Sequence, residues 1–216
     1  MNRALLVSVW ALAALAVACS STAVIDPPDA DAGPSADMSC GDLAKARCAK
    51  LQECSSHQLT TREGDLATCE TREKAACVAA LSAPSTGSTP ATVGACATAT
   101  AATACKEFLG NTPVPACVAK VGGLADGAAC GYSSQCRSTF CASPKGAPCG
   151  TCAAPPRAGD SCATVGCGPT LACGKSKVCV AYLGSGQACD GDLPCDAGLS
   201  CVTAKGAPKG TCQALG

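Results

Sequence analysis

Large apolar side chains are scarce in this sequence. Of the 198 residues that follow residue 18, only 25 are Leu, Ile, Val or Phe, which is about 13%, whereas chains with less than roughly 20% of such residues tend to stay disordered. Aromatic residues make up 2% of the whole chain. The sequence therefore lacks the side chains for the large hydrophobic core that is typical of an enzyme of this length.

Clusters of like-charged residues are lacking as well, and the chain has a single histidine. Basic and acidic residues number 16 each, and no run of basic residues marks a nucleic-acid binding face. The single histidine, His57, lies in the polar segment Ser55–Gln58, which we expect to be an exposed turn between helices. A Ser/His/Asp hydrolytic site is thereby disfavoured. We predict no catalytic residue, no cofactor and no nucleic-acid partner.

Cysteine, by contrast, is abundant, with 22 residues in 216 positions. This density is typical of exported proteins in which disulfides replace hydrophobic burial. Zinc is the alternative, since cysteines two residues apart are good ligands. Only one such pair occurs, Cys149 and Cys152, beside a single histidine, and an exported protein meets an oxidising compartment. The sequence therefore predicts disulfides and no metal site.

The start of the chain is typical of an exported protein. The apolar stretch Ala4–Val17 after a short positive region predicts a signal peptide over residues 1–18, with a small-residue cleavage site. The segment Leu15–Cys19 resembles the lipobox of bacterial lipoproteins, although Ala16 stands where the family usually has Leu. This resemblance implies a lipid on the Cys19 sulfur, and Ser20 implies sorting to the outer membrane. Secretion without a lipid is the alternative.

Residues 19–39 are expected to form a disordered tether. They hold several prolines and four acidic residues without one base, a composition that favours solvated coil. As a flexible chain, about 20 residues reach roughly 25 Å. The sequence thus predicts a protein of the bacterial cell envelope that contacts a membrane through its N-terminal lipid.

Residues 40–120 predict a disulfide-linked helical domain. Apolar residues and cysteines keep helical spacing around residues 43–54, from Arg62 to Leu81 and from Pro90 to Gly110, which predicts three short helices. Cysteines on the inner faces imply disulfides between helices. The eight cysteines of this domain are Cys40, Cys48, Cys54, Cys69, Cys77, Cys96, Cys105 and Cys117.

Residues 121–216 differ in composition. They are rich in glycine, proline and closely spaced cysteine, and they contain an internal repeat. Three repeats with irregular loops and short β-hairpins are predicted at about 124–153, 154–183 and 184–216. The fold class is therefore small and disulfide-rich, with a helical half before three cysteine-rich repeats. Each repeat contributes four cysteines: Cys130, Cys136, Cys141 and Cys152; Cys162, Cys167, Cys173 and Cys179; and Cys189, Cys195, Cys201 and Cys212.

The repeats carry a family resemblance. The segment Cys189–Cys201 resembles the opening of a Dickkopf N-terminal cysteine-rich domain, and Cys149–Cys179 resembles its remainder, except that Gly168 stands where the family has an adjacent second cysteine. The repeats are similar to EGF-like units as well. The whole layout resembles uncharacterised cysteine-rich lipoproteins of bacteria. These resemblances imply a disulfide module.

Two groups of residues in the repeats have a chemical alternative. Cys149 and Cys152 have the spacing of a thiol–disulfide exchange pair, but prolines flank them and no helix start is present to lower a thiol pKa. Asp190, Asp192 and Asp196 have the ligand type for a weak calcium site, although a solvated acidic loop is favoured. We predict structural cystines and no metal.

The cysteine count singles out one residue. With Cys19 lipidated, 21 cysteines remain, so one lacks an intramolecular partner. The end of the first repeat parallels the end of the third, and Cys149 falls opposite Lys209. We therefore expect Cys149 to be a free thiol or the site of an intermolecular disulfide in a dimer. If Cys19 carries no lipid, a Cys19–Cys149 bond is the alternative.

The function predicted from these features is that of a non-enzymatic envelope lipoprotein. It would act as a disulfide-stabilised extracellular interaction or surface-structural module whose protein or surface-polymer partner is unknown. One alternative is an envelope thiol–disulfide oxidoreductase that uses Cys149 and Cys152. A secreted inhibitor-like module is the other alternative.

Overall fold

The computed structural model describes residues 33–110, 113–190, 193–196 and 199–214. The predicted signal peptide, Cys19 and most of the predicted tether lie outside the described residues. Among the described residues, the long helices lie between residues 36 and 117, and small antiparallel sheets follow from residue 129 onward. The predicted fold class, small and disulfide-rich with a helical half before hairpin repeats, is confirmed.

Local capping explains where the three long helices begin. Ser35, Asp65 and Thr89 each accept a hydrogen bond from the backbone N–H three residues further on. The bond from Thr68 N–H lowers the pKa of the Asp65 carboxyl below its usual value. The helices are α1 (Ala36–Arg62), α2 (Leu66–Leu81), α3 (Pro90–Ala102) and α4 (Cys105–Phe108), and a 3-10 turn (Pro115–Cys117) follows them.

The first helix is longer than expected. α1 has 27 residues, and residues 36–39 of the predicted tether are its first turn because Ser35 caps it. The backbone bends at Ser55, where φ is −161° and ψ is 74°. The predicted turn around His57 is therefore the continuation of α1 after this bend.

The third helix is shorter than expected. We predicted a helix from Pro90 to Gly110, but α3 ends at Ala102 because Thr103 is extended. The Thr103 hydroxyl donates to the Ala99 carbonyl, so a local side-chain bond accompanies the helix end. The chain then forms the separate short helix α4, and the prediction of three helices was wrong by one.

The buried core consists largely of cysteine. One cluster joins Leu43 to Cys96 and Ala97, and a second joins Leu59 to Cys48 and Cys69. Nine side chains in the described part of the chain are less than 2% exposed, and eight of them are cysteines. None of the helices described has both the length and the apolar character needed to cross a bilayer.

The repeats form three small antiparallel sheets. The first and third have three strands each, with the last strand of the repeat in the centre, and the second has two. The strands are β1 (Ala129–Cys130), β2 (Cys141–Ala142) and β3 (Gly150–Cys152); β4 (Leu171–Cys173) and β5 (Cys179–Ala181); and β6 (Ala188–Cys189), β7 (Leu199–Val202) and β8 (Gly210–Ala214).

All three repeats begin with the same turn, which we call the entry turn. A glycine at positive φ makes each turn, a conformation that residues with a Cβ rarely adopt. Its N–H donates to the carbonyl of the last cysteine of the repeat. The bonds are Gly127 to Cys152 at 2.7 Å, Gly159 to Cys179 at 2.8 Å and Gly186 to Cys212 at 2.7 Å.

Leu183 makes the two hydrogen bonds that open the third repeat. Leu183 N–H donates to the Pro194 carbonyl, and the Leu183 carbonyl accepts from Asp196 N–H. Leu124 makes the same two bonds at the start of the first repeat. Leu183 therefore belongs with the repeat that follows it.

A buried amide joins the helical half to the first repeat. Gln135 is 5% exposed; its Oε1 accepts from the N–H groups of Gly131 and Tyr132 at 2.8 and 3.0 Å. Its Nε2 donates to the carbonyl of Pro84, in the loop after α2, at 2.9 Å. Gly122 packs so closely that a Cβ there would clash with the Gln135 carbonyl. The junction is thus hydrogen-bonded and tightly packed.

Replacing Gln135 with alanine should lower the free energy of unfolding by about 1–3 kcal/mol, because buried backbone groups would lose their partners. Thermal or urea unfolding of the oxidised protein measures this. Gln187→Ala is the matched control, since Gln187 accepts from Gly184 N–H but is exposed; a change within about 0.5 kcal/mol is expected. Equal losses in both variants would contradict the role assigned to the junction.

Candidate functional site

Four disulfides fasten the helical half. They join α1 to α2 twice, α1 to α4 once, and α3 to the 3-10 turn, as the predicted helix-to-helix cross-links require. The contact between α1 and α3 carries no cross-link among these four. Leu43 packs on Cys96 and Ala97 across it, and the buried Ser39 lies opposite Gly94. The four bonds are Cys40–Cys77, Cys48–Cys69, Cys54–Cys105 and Cys96–Cys117.

Six further disulfides repeat one pattern three times. In every repeat the first cysteine bonds the third and the second bonds the fourth. All twenty cysteines that we predicted to form disulfides therefore do so. The pairs are Cys130–Cys141 and Cys136–Cys152, Cys162–Cys173 and Cys167–Cys179, and Cys189–Cys201 and Cys195–Cys212.

The two disulfides of each repeat pack against each other. In the first repeat the sulfurs of Cys130, Cys136 and Cys152 lie within 4.8 Å of one another, and the other two repeats have equivalent groups. Such clustering would suit zinc if the sulfurs were thiolates. Each of these sulfurs is bonded to another sulfur, so the oxidised clusters are cystine cores.

The pair Cys149 and Cys152 does not have the geometry of a redox pair. Cys152 is 1% exposed and bonds Cys136, and it lies in strand β3 rather than at a helix start. Thiol–disulfide exchange needs an accessible sulfur whose pKa is lowered by its surroundings. The spacing that suggested exchange chemistry therefore belongs to a hairpin strand.

Cys149 is itself disulfide-bonded, and no described cysteine is free. The expectation that Cys149 is a free thiol is therefore wrong. The ten disulfides above join the other twenty described cysteines to one another. Cys19, the remaining cysteine of the sequence, lies outside the described residues.

The other residues singled out by the sequence are dispersed. His57 is exposed on α1, with its carbonyl accepting from the Thr61 hydroxyl. Asp190 and Asp196 flank a short stretch of the third repeat, while Asp192 lies outside the described residues. His57 is in the helical half and the aspartates are in the last repeat, so the chain does not assemble them into one site.

The helical half has two neighbouring clefts of about 260 and 320 Å³ that the sequence did not predict. Arg47 and Phe108 line both of them. The Arg47 guanidinium pairs with Glu73 at 3.0 Å, so it is already partnered. No sequence signal marked these clefts, because their lining residues come from segments that are distant along the chain.

Comparison with known proteins yields no family: no family model, no curated protein and no solved structure matches the chain. The Dickkopf-like and EGF-like resemblance and the resemblance to bacterial lipoproteins stay predictions.

The two disulfides of the first repeat should differ in their rate of reduction. Cys136 and Cys152 are 0% and 1% exposed, whereas Cys141 is partly exposed, and an attacking thiolate needs access to sulfur. Limiting reductant followed by alkylation and peptide mapping should thus label Cys130 and Cys141 before the other pair. Faster labelling of Cys136 and Cys152 would show that exposure does not set the order.

Proposed function

We propose that this chain is a non-enzymatic, disulfide-stabilised module that acts at the cell envelope by interaction or as a surface-structural element. The observation that carries the proposal is the cystine framework: ten disulfides supply most of the fully buried side chains. A framework of this kind belongs to an oxidising compartment. It holds a surface in place without a large core.

The dispersion of reactive groups supports a binding role over catalysis. His57 is exposed, and no described cysteine is free. A catalytic site brings a nucleophile, a base and an orienting group within hydrogen-bond reach. The residues that the sequence offered for such a site lie in different parts of the fold.

The alternative function, a thiol–disulfide oxidoreductase, depends on a specific pair of sulfur atoms. It requires a sulfur pair that is accessible and cycles between oxidised and reduced states. Cys152 is buried and bonded to Cys136, which argues against Cys149 and Cys152 as the cycling pair. A disulfide-reductase assay on the native protein should therefore give no activity above the Cys149→Ser variant. Activity that this variant loses would overturn the proposal.

We place the module at the envelope surface through a lipid on Cys19. The signal-like segment, the lipobox resemblance of Leu15–Cys19 and the acidic composition of the predicted tether support this location. A sulfur that carries a thioether-linked lipid cannot form a disulfide. Lipid anchoring and a Cys19–Cys149 bond are therefore mutually exclusive states. A lipidated Cys19 requires Cys149 to bond a second copy of the chain, which is the predicted disulfide-linked dimer.

Intact mass spectrometry and peptide mapping of the native protein test the anchor. We expect a mature chain that begins at Cys19, carries a diacylglyceryl group and partitions into detergent. The Cys19→Ala variant should be released into the aqueous phase, while Ser20→Ala, its neighbouring control, should still partition into detergent. An unlipidated wild-type chain, or a peptide that contains Cys19 bonded to Cys149, would contradict the anchor. A non-reducing gel of the same samples reports any disulfide-linked dimer.

A further inference from the structure

Each repeat carries lysines at one end of its sheet. β3 runs from the hairpin tip to the entry turn, since Gly150 begins the strand and the Cys152 carbonyl accepts from Gly127 N–H. The hairpin tip and the entry turn therefore lie at opposite ends of the sheet. The lysines at the tips are Lys145 in the first repeat, Lys175 and Lys177 in the second, and Lys205 and Lys209 in the third.

The tips of the first two repeats converge on one short segment. Lys145 N–H donates to the Thr164 carbonyl at 3.1 Å, and Cys162 N–H donates to the Lys177 carbonyl at 2.8 Å. Thr164 is two residues beyond Cys162, which corresponds to about 7 Å of extended chain. The backbone thus brings Lys145, Lys175 and Lys177 together, and we call these three residues the lysine cluster.

The lysine cluster has unneutralised charge. All three residues are exposed, and none forms an ion pair within the described part of the chain. The four ion pairs of the described residues all lie in the helical half. Asp160, two residues before Cys162, accepts a hydrogen bond from Arg157 N–H at 2.7 Å and forms no ion pair in the described part of the chain. The cluster therefore offers three cationic groups to a partner outside the chain.

Lys177 occupies a backbone conformation that disfavours it. Its φ is +62°, in the left-handed region, where a Cβ is unfavourable. The hairpin tips of the first and third repeats use Gly146 and Gly206 at φ of +82° and +83°. The Lys177 side chain makes no described hydrogen bond or ion pair that would offset this cost. Strain of this kind is found where a side chain serves a function.

We infer that the lysine cluster binds the phosphate headgroups of an anionic membrane surface. The residues beside the lysines in these two tips are small, such as Ala147 and Ser176. The tips therefore have no large apolar side chain to insert into hydrocarbon and no aromatic ring to stack on sugars. Charge is then the attractive term, and a lysine at an anionic membrane surface changes affinity about fivefold. The choice of a membrane rests on the proposed anchoring, since a lipid on Cys19 would tie the chain to the bilayer surface.

The test uses the unlipidated Cys19→Ala chain, so that retention on vesicles reports the lysines and not the lipid anchor. We expect cosedimentation with vesicles that contain phosphatidylglycerol, loss of binding as salt rises, and no binding to phosphatidylcholine vesicles. Failure of this binding would overturn the membrane inference and leave the lipid-anchor proposal to its own mass measurement. Binding to soluble dextran sulfate without binding to anionic vesicles would overturn it too.

Lys177→Gly separates binding from folding. It should leave the thermal midpoint unchanged or raise it, because glycine relieves the positive φ, yet weaken vesicle binding about fivefold. Alanine at all three positions of the cluster should weaken binding by about tenfold or more. The charge-matched control replaces the exposed, unpaired Lys45, Lys106 and Lys120 of the helical half with alanine and should retain binding. Equal loss in the two triple variants, or full binding by Lys177→Gly, would refute the lysine cluster as the contact surface.

Discussion

Disulfide bonds hold this chain in a shape that its apolar residues could not stabilise alone. Each cross-link typically contributes about 2–4 kcal/mol, chiefly by restricting the unfolded chain. The cysteines also form the core, because eight of the nine most deeply buried side chains of the described residues are cysteines. The same atoms therefore serve as cross-links and as core. A chain built in this way depends on an oxidising environment for both contributions.

Each of the ten disulfides stays within the helical half or within one repeat, so other interactions set how these units are arranged. Within the repeats they span 11 to 17 residues, and none of the ten joins one repeat to another or to the helical half. Hydrogen bonds connect the units at two junctions. Gln135 fastens the first repeat to the loop after α2, and the Lys145–Thr164 bond fastens the first repeat to the second. Relative orientation is thus set by a few polar contacts.

Much of this fold could be predicted because spacing controls it. Cysteine spacing indicated the repeats, and the caps Ser35, Asp65 and Thr89 mark the helix starts locally. Helix ends were harder: the pattern from Pro90 to Gly110 continues past Thr103, and only the extended backbone of that residue shows the break. The pairing in the repeats could not be derived, since four cysteines allow three connectivities. The convergence of Lys145 and Lys177 depends on contacts between repeats, which spacing does not report.

Lys177 shows where local preference and the whole fold disagree. A sequence normally specifies its structure by agreement between turn chemistry, packing and charge, and exceptions concentrate at functional positions. The repeats obey turn chemistry at every entry turn, where glycine holds the positive φ. Thr139, Thr170 and Lys177 of the repeats have positive φ without being glycine. Lys177 is the charged residue among them, and its carbonyl bonds Cys162, two residues from the Thr164 that bonds the neighbouring tip. Because the Lys177 side chain makes no described hydrogen bond or ion pair inside the chain, its use is best sought in a contact outside the chain, at the surface that the cross-linked repeats hold in place.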